Sequence, residues 1–155
     1  MSEFCIILIP EDPRYSVDEQ KITKIKSLSW FGDNTSIVVN ENVQFAAAGS
    51  NFEYVTCPFC KTDLMDWWGG AIDKAYSEEA GFNNLGITTP CCHKETSLND
   101  LDYYFPQGFY TSMIEMQPFS HQGVYQVPQE FHKEMICQEL FQITNKKWRM
   151  INRHI

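Results

Sequence analysis

The sequence FEYVTCPFC at positions 52–60 joins a short strand pattern directly to a pair of cysteines. From there to residue 105 the chain is rich in cysteine, glycine and polar residues, and it contains one helical pattern at 66–80. On both sides of this segment, strand and helix patterns alternate. The stretch therefore predicts a division between an outer domain of strands and helices and an insert at residues 57–105.

The outer patterns follow the order strand, helix, two strands, strand, helix, strand. An apolar run at 4–9 predicts a buried strand, and Ile22 and Ile25 begin a helical repeat. The other expected elements are a hairpin of strands at 36–39 and 43–47, a strand at 109–116, a helix with Ile136, Leu140 and Ile143 on its apolar stripe, and a closing strand at 148–155. This order is typical of a ferredoxin-like α+β sandwich, so we expect residues 1–155 to form a single domain that carries the insert.

Four cysteines in the insert have the spacing of a metal site. Cys57 and Cys60 form a C-P-x-C turn, and Cys91 and Cys92 follow thirty residues later, at the far end of the predicted helix. Zinc prefers four soft ligands in a tetrahedron, and a site of this kind would tie together an insert that has little core of its own. We expect Zn²⁺ on these four thiolates, with His93 as the alternative fourth ligand because adjacent cysteines share a metal with difficulty.

Two catalytic interpretations of the cysteine segments are also open. A strand, the motif Cys57-Pro58-Phe59-Cys60 and a helix are also the layout of a glutaredoxin-like thiol-disulfide oxidoreductase, in which the helix N-terminus activates the first thiol. A zinc hydrolase with an open metal position requires that only one residue of 91–93 joins Cys57 and Cys60. A site closed by four protein ligands is structural, and in that case the sequence predicts no catalytic residue.

Composition and charge limit the classes of partner. The chain has 155 residues, of which 43% are hydrophobic and 21% charged, which excludes a disordered protein. Its formal net charge of -8, from 12 basic and 20 acidic residues, argues against nucleic acid and favours a protein with a basic surface. The apolar run at 4–9 is too short for a signal peptide, and no run approaches the roughly 20 residues of a membrane span. We therefore expect a soluble, cytoplasmic protein with reduced cysteines.

Two adjacent tryptophans, Trp67 and Trp68, lie at the start of the predicted inserted helix. Neighbouring residues of a helix point in different directions, so only one indole can pack beneath the metal turns. An exposed tryptophan beside an acidic surface could anchor a partner, and we take Trp67 as the candidate binding residue. The alternative is that both rings pack in the seam between insert and outer domain.

Several stretches together are similar to a family of small bacterial proteins of unassigned function. They are 7–13 (ILIPEDP), 51–60 (NFEYVTCPFC), 89–92 (TPCC), 97–103 (SLNDLDY), 106–109 (PQGF) and 148–151 (WRMI). The resemblance implies a zinc-ribbon-like insert and a bacterial cytosolic setting. In that family each cysteine turn tends to be followed by glycine, whereas here Lys61 and His93 stand at those positions. The resemblance implies no activity. The cysteine spacing predicts a structural zinc protein, and the negative charge and small size of the chain favour a protein-interaction module, such as an immunity-type or adaptor protein.

Overall fold

A four-stranded antiparallel sheet forms the framework of the protein, whose computed structural model describes residues 4–117 and 130–154. In chain order the elements are β1 (Phe4–Pro10), α1 (Glu19–Lys26), β2 (Thr35–Ala46), β3 (Tyr54–Thr56), α2 (Met65–Ala75), β4 (Gly86–Thr88), β5 (Glu95–Ser97), a 3₁₀ turn (Leu98–Asp100), β6 (Asp102–Tyr104), β7 (Gly108–Met116), α3 (Glu130–Thr144) and β8 (Trp148–His154). The main sheet has the order β2-β7-β1-β8. Helices combined with mainly antiparallel sheets are compatible with the predicted α+β class.

The apolar strand β1 lies in the interior of this sheet, between β7 and β8. Leu8 is in register with Ile114 of β7 and with Met150 of β8, while Ile7 is in register with Ile151. These positions alternate between two buried faces, which explains why the sequence of β1 is an unbroken apolar run rather than an alternating one.

Helices α1 and α3 cover one face of the sheet. Ile25 from α1 and Leu140 from α3 join Leu8, Ile114 and other buried residues in one apolar cluster. The N-terminus of α1 is capped by Asp18, whose side chain accepts a hydrogen bond from the backbone N–H of residue 21. No helix in the described part of the chain is long and apolar enough to cross a membrane.

The predicted hairpin at 36–47 is wrong, because these residues form one long strand. β2 pairs with β7 on both sides of an irregularity, with Val39 opposite Ser112 and Gln44 opposite Tyr110. The polar residues 40–42 are accommodated in this register shift instead of reversing the chain. Continued pairing with the long strand β7 therefore overrides a local sequence that is typical of turns.

The chain between β2 and β7 builds a second, smaller unit. Strand β3 leads into it and β6 leads out, and the two pair so that Tyr54 is opposite Tyr104. Its buried residues include Leu64, Leu85 and Leu98, together with Phe109 from β7. Because the outer strand contributes to this core, the smaller unit and the main sheet share one apolar contact region.

Helix α2 is shorter than the predicted span of 66–80. It ends at Ala75, and Tyr76 already has an extended backbone conformation. The predicted cap, Gly81, lies instead beside β2, where it has a φ of 62° and its added Cβ would be 2.5 Å from the carbonyl oxygen of Val43. Gly81 therefore allows close backbone contact between the insert and β2 and does not end the helix.

Candidate metal centre

The first cysteine turn follows directly from strand β3. The backbone N–H of Cys57 donates to the carbonyl of Thr62 over 2.9 Å, and the N–H of Lys61 donates to the carbonyl of Cys57 over 3.0 Å. The N–H of Phe59 points at the Cys57 sulfur, 3.4 Å away. Lys61 has a φ of 65°, which closes the turn. This backbone directs the side chains of Cys57 and Cys60 toward one centre.

The second turn, between β4 and β5, repeats the same hydrogen-bond pattern. The N–H of Thr89 donates to the carbonyl of Lys94, and the N–H of His93 donates to the carbonyl of Thr89, each over 2.9 Å. His93 has a φ of 58°, like Lys61 in the first turn. Thr89 therefore occupies the position that corresponds to Cys57, and Cys92 occupies the one that corresponds to Cys60.

The two turns bring four sulfur atoms together. The Sγ atoms of Cys57, Cys60, Cys91 and Cys92 all lie within 4.8 Å of one another. Cys57 is 3.7 Å from Cys92, Cys60 is 3.3 Å from Cys91, and Cys91 is 4.0 Å from Cys92. Zinc–sulfur bonds of about 2.3 Å place the sulfurs of a tetrahedral site roughly 3.8 Å apart. The spacing thus fits a metal the size of zinc, and among the described residues His93 is not part of this group.

Thr89 is a residue of this site that the sequence reasoning missed. Its side chain is completely buried, and its hydroxyl lies 3.3 Å from the Cys92 sulfur while accepting a hydrogen bond from the N–H of Lys94. Since Thr89 stands where Cys57 stands in the first turn, the fourth sulfur of the cluster is that of Cys91, beside Cys92. The signal was present in the sequence, where TPCCHK at 89–94 aligns with CPFCKT at 57–62.

The environment of the cluster shifts the pKa values of Cys57, Cys60 and Cys91 in different ways. The hydroxyl and the backbone N–H of Thr62, with the nearby Cys91 thiol, lower the pKa of Cys60 to about 6. Burial and the three neighbouring sulfurs raise the pKa of Cys91 to about 12. Burial opposes ionisation of Cys57, but backbone N–H groups of the turn outweigh it and lower the pKa. Four thiols this close cannot all ionise without a cation between them, which is the charge that a divalent metal supplies.

The two tryptophans have different environments. The indole N–H of Trp68 donates to the hydroxyl of Tyr103 over 3.1 Å, and its ring lies 5.1 Å from that of Phe52. Both indoles are half-buried and pack against the apolar cluster of the insert. Trp67 is half-buried and lines a groove of about 520 Å³ between α2 and β4, where Gly70 leaves open space.

The remaining cysteines lie away from the cluster. Cys5 is in β1 and Cys137 is in α3, and all six cysteines of the described chain are free of disulfide bonds.

Comparisons with family models, with curated proteins and with solved structures each give no match for this chain.

Proposed function

We propose that the chain binds one zinc ion through Cys57, Cys60, Cys91 and Cys92, and that this metal is structural. The observation that carries the proposal is the mutual proximity of the four Sγ atoms, within 4.8 Å. Thiolates are the ligands that structural zinc prefers, and four of them leave no coordination position for a water molecule or a substrate. In this role the metal would hold the two turns, and thereby the ends of the inserted unit, together.

The catalytic alternatives find less support. A glutaredoxin-like site needs its helix to begin at the cysteine pair, because the helix dipole acts only within about one turn. Helix α2 begins at Met65, beyond the turn that contains Cys60. An open zinc site needs one sulfur to lie apart from the others, whereas all four Sγ atoms lie within 4.8 Å of one another.

Metal content and thiol counts test the zinc proposal. We expect one zinc ion per chain in protein purified without a histidine tag, and four additional thiols that react only after chelation. Cys91→Ser should lose the metal and His93→Ala should retain it. The reverse result for these two variants would assign the fourth position to His93, and metal-free protein with a reactive Cys57 would support the oxidoreductase.

We also propose a fold type for the outer elements and for the insert. We assign the outer elements to a ferredoxin-like sandwich, and residues 57–105 to a zinc-ribbon-like insert within a single domain. Support comes from the connectivity β1-α1-β2-β7-α3-β8 and from the two helices that share one face of the sheet. The paired turns of the metal centre support the zinc-ribbon part. The resemblance to the small bacterial family implies the zinc-ribbon-like insert and says nothing of the sandwich.

The role we propose is that of a protein-interaction module for a partner with a basic surface, in a reducing cytoplasm that keeps the cysteines metal-competent. The support is the charge of the insert. Residues 57–105 contain eight acidic and three basic residues, a net charge of −5, and all eight acidic side chains are exposed. Four thiolates with one Zn²⁺ would add two further negative charges. A basic partner would be drawn to this surface.

Exposed aromatic residues provide a contact surface for such a partner. Tyr54 and Tyr104 are opposite each other on β3 and β6, 42% and 48% exposed, and their rings stack 5.0 Å apart. Phe105 extends this surface, and Asp102 lies on the same strand as Tyr104. Aromatic faces next to carboxylates suit arginine side chains. We call Tyr54, Tyr104 and Phe105 the aromatic strip, and we favour it over Trp67 as the anchor.

Capture from lysate with matched variants tests the interaction. A partner bound by the wild-type protein should be lost with Tyr54→Ala/Tyr104→Ala and should dissociate at high salt. Phe141→Ala is the control, since Phe141 is similarly exposed (42%) but lies on α3. Failure to retain any partner, or equal retention by the double variant, would contradict the proposed role without affecting the zinc assignment.

A further inference from the structure

A second polar site lies where the β6–β7 connection meets β8. A pocket of about 370 Å³ is lined by Leu101, Asp102, Tyr103, Pro106, Gln107 and Arg149. None of these residues belongs to the cysteine cluster. Two of them, Arg149 and Gln107, have side-chain N–H groups that find no acceptor among the described residues.

Arg149 is held in place through one of its terminal nitrogens. Its Nη1 donates to the carbonyl oxygen of Gln107 over 2.6 Å and to that of Asn99 over 3.2 Å, and it is 3.4 Å from the Oδ1 of Asn99. The guanidinium fits against Gly108, where an added Cβ would be 2.7 Å from Nη1. These contacts fix the plane of the group and leave its Nε and Nη2 without a hydrogen-bond partner among the described residues.

The positive charge of Arg149 is not neutralised by the protein in the part of the chain that the structure describes. Among these residues no carboxylate forms an ion pair with it. Asp102 lines the same pocket, but its Oδ2 pairs with the Nζ of Lys61 at 2.8 Å. The Nε and Nη2 of an arginine form the planar fork that binds both oxygens of a carboxylate or a phosphate.

Gln107 supplies the second unused donor. Its side chain is 2% exposed, and its Oε1 accepts the backbone N–H of Ala48 over 2.9 Å, which fixes the orientation of the amide. The Nε2 is then buried, and no described residue forms a hydrogen bond with it. A buried amide donor is nearly always satisfied in a folded protein, and Gln107 lines the same pocket as Arg149, which points to an acceptor that the protein itself does not supply.

We propose that this pocket binds the oxyanion group of a small ligand, either a carboxylate or a phosphate. The Nε and Nη2 of Arg149 hold two oxygens, and the Nε2 of Gln107 donates to the same group. Leu101 and Pro106 supply apolar contact for the rest of the ligand. Neither Arg149 nor Gln107 belongs to the cysteine cluster or to the aromatic strip, so the site depends on neither the zinc proposal nor the proposed partner, although Asp102 lines this pocket and also lies on the strand that carries Tyr104.

Titration of the zinc-loaded, isotope-labelled full chain tests this site. Potassium phosphate, sodium acetate and sodium chloride are added at matched ionic strength, and the Arg149 Nε–H and Gln107 side-chain amide signals are followed by NMR. We expect saturable shifts of both signals with an oxyanion and none with chloride. The oxyanion that saturates at the lower concentration identifies the ligand class as carboxylate or phosphate.

Arg149→Lys keeps the charge and removes the fork, so it should weaken binding by about tenfold or more. Arg153→Lys is the matched control on the same strand. Arg153 lies outside the pocket and donates to the carbonyl of Ala47, so this change should leave binding unchanged. Should Arg149→Lys fail to fold, the wild-type titration decides. Shifts that match those of chloride, or equal weakening by both variants, would overturn the proposal.

Discussion

Replacing Cys60 with serine is the sharpest perturbation of the metal centre. The Sγ of Cys60 is 3.3 Å from that of Cys91, and the residue is exposed, so the smaller side chain causes little change in packing. A serine hydroxyl stays protonated at neutral pH and is a poor replacement for a thiolate ligand. Structural zinc contributes about 10–16 kcal/mol in finger peptides, so losing one ligand of four should cost on the order of 3 kcal/mol. This corresponds to about two orders of magnitude in zinc affinity.

The two apolar clusters indicate which part of the protein loses stability when a zinc ligand is removed. The buried cluster that contains Cys57 is the core of the insert, whereas the cluster beneath α1 and α3 contains no residue of the metal centre. Hydrogen exchange in Cys60→Ser should therefore accelerate across residues 57–105, while the amides of β1 and β8 keep their protection.

The assay combines zinc stoichiometry after dialysis into zinc-buffered solution with hydrogen exchange measured by mass spectrometry. Cys137→Ser is the control, because Cys137 is a partly buried free thiol on α3 outside the cluster. It should keep one zinc ion and wild-type exchange in the insert. Full zinc occupancy in Cys60→Ser, or equal loss of protection in β1 and in the insert, would refute the reasoning.

Four further predictions concern stability and pH. Gly108→Ala should lower the free energy of unfolding by about 1–3 kcal/mol in urea titrations, because its Cβ would be 2.7 Å from the Nη1 of Arg149. Gly70→Ala, whose Cβ has no neighbour within 4 Å, should raise it by about 0.5–1 kcal/mol through helix propensity. Thr144→Val removes the acceptor of a buried indole N–H and should cost about 1–3 kcal/mol, which thermal unfolding would reveal. In chelator-treated protein the pKa of Cys60 is lowered to about 6, mainly by the Thr62 hydroxyl. Its ionisation should therefore add stability as the pH rises from about 6 to the ordinary thiol pKa of about 8.5, and it should add no pH dependence below 6. Iodoacetamide labelling should have its midpoint near pH 6, and a midpoint at the ordinary thiol value would contradict this.

The sequence predicts the strands of the main sheet better than their connections. The apolar run at 4–9 and the strand pattern at 109–116 correspond closely to β1 and β7, because strands buried on both faces are rich in apolar residues over their whole length. The turn-like residues 40–42 were misleading, since pairing of β2 with β7 is a long-range interaction that no local pattern reports. Likewise, Gly81 marks a close approach to β2 rather than the end of α2.

The two candidate sites also differ in how well the sequence predicts them. The cysteine cluster was predictable because each turn is a local motif with fixed spacing, and only the role of Thr89 was missed. The pocket of Arg149 and Gln107 was not predictable, because these residues are far apart in the chain and meet only when β7 and β8 take their places beside β1. A single arginine and a single glutamine carry no sequence signature of a binding site.

The pairing of β2 with β7 across the insert has a kinetic consequence. Roughly 60 residues separate the two strands, and closing so long a loop carries an entropic cost that delays folding. If zinc first closes the unit between Tyr54 and Tyr104, only about ten flexible residues remain in that loop, which lowers the closure cost by roughly 1.6 kcal/mol. Metal binding would then speed the pairing of β2 with β7 and raise the refolding rate by about an order of magnitude.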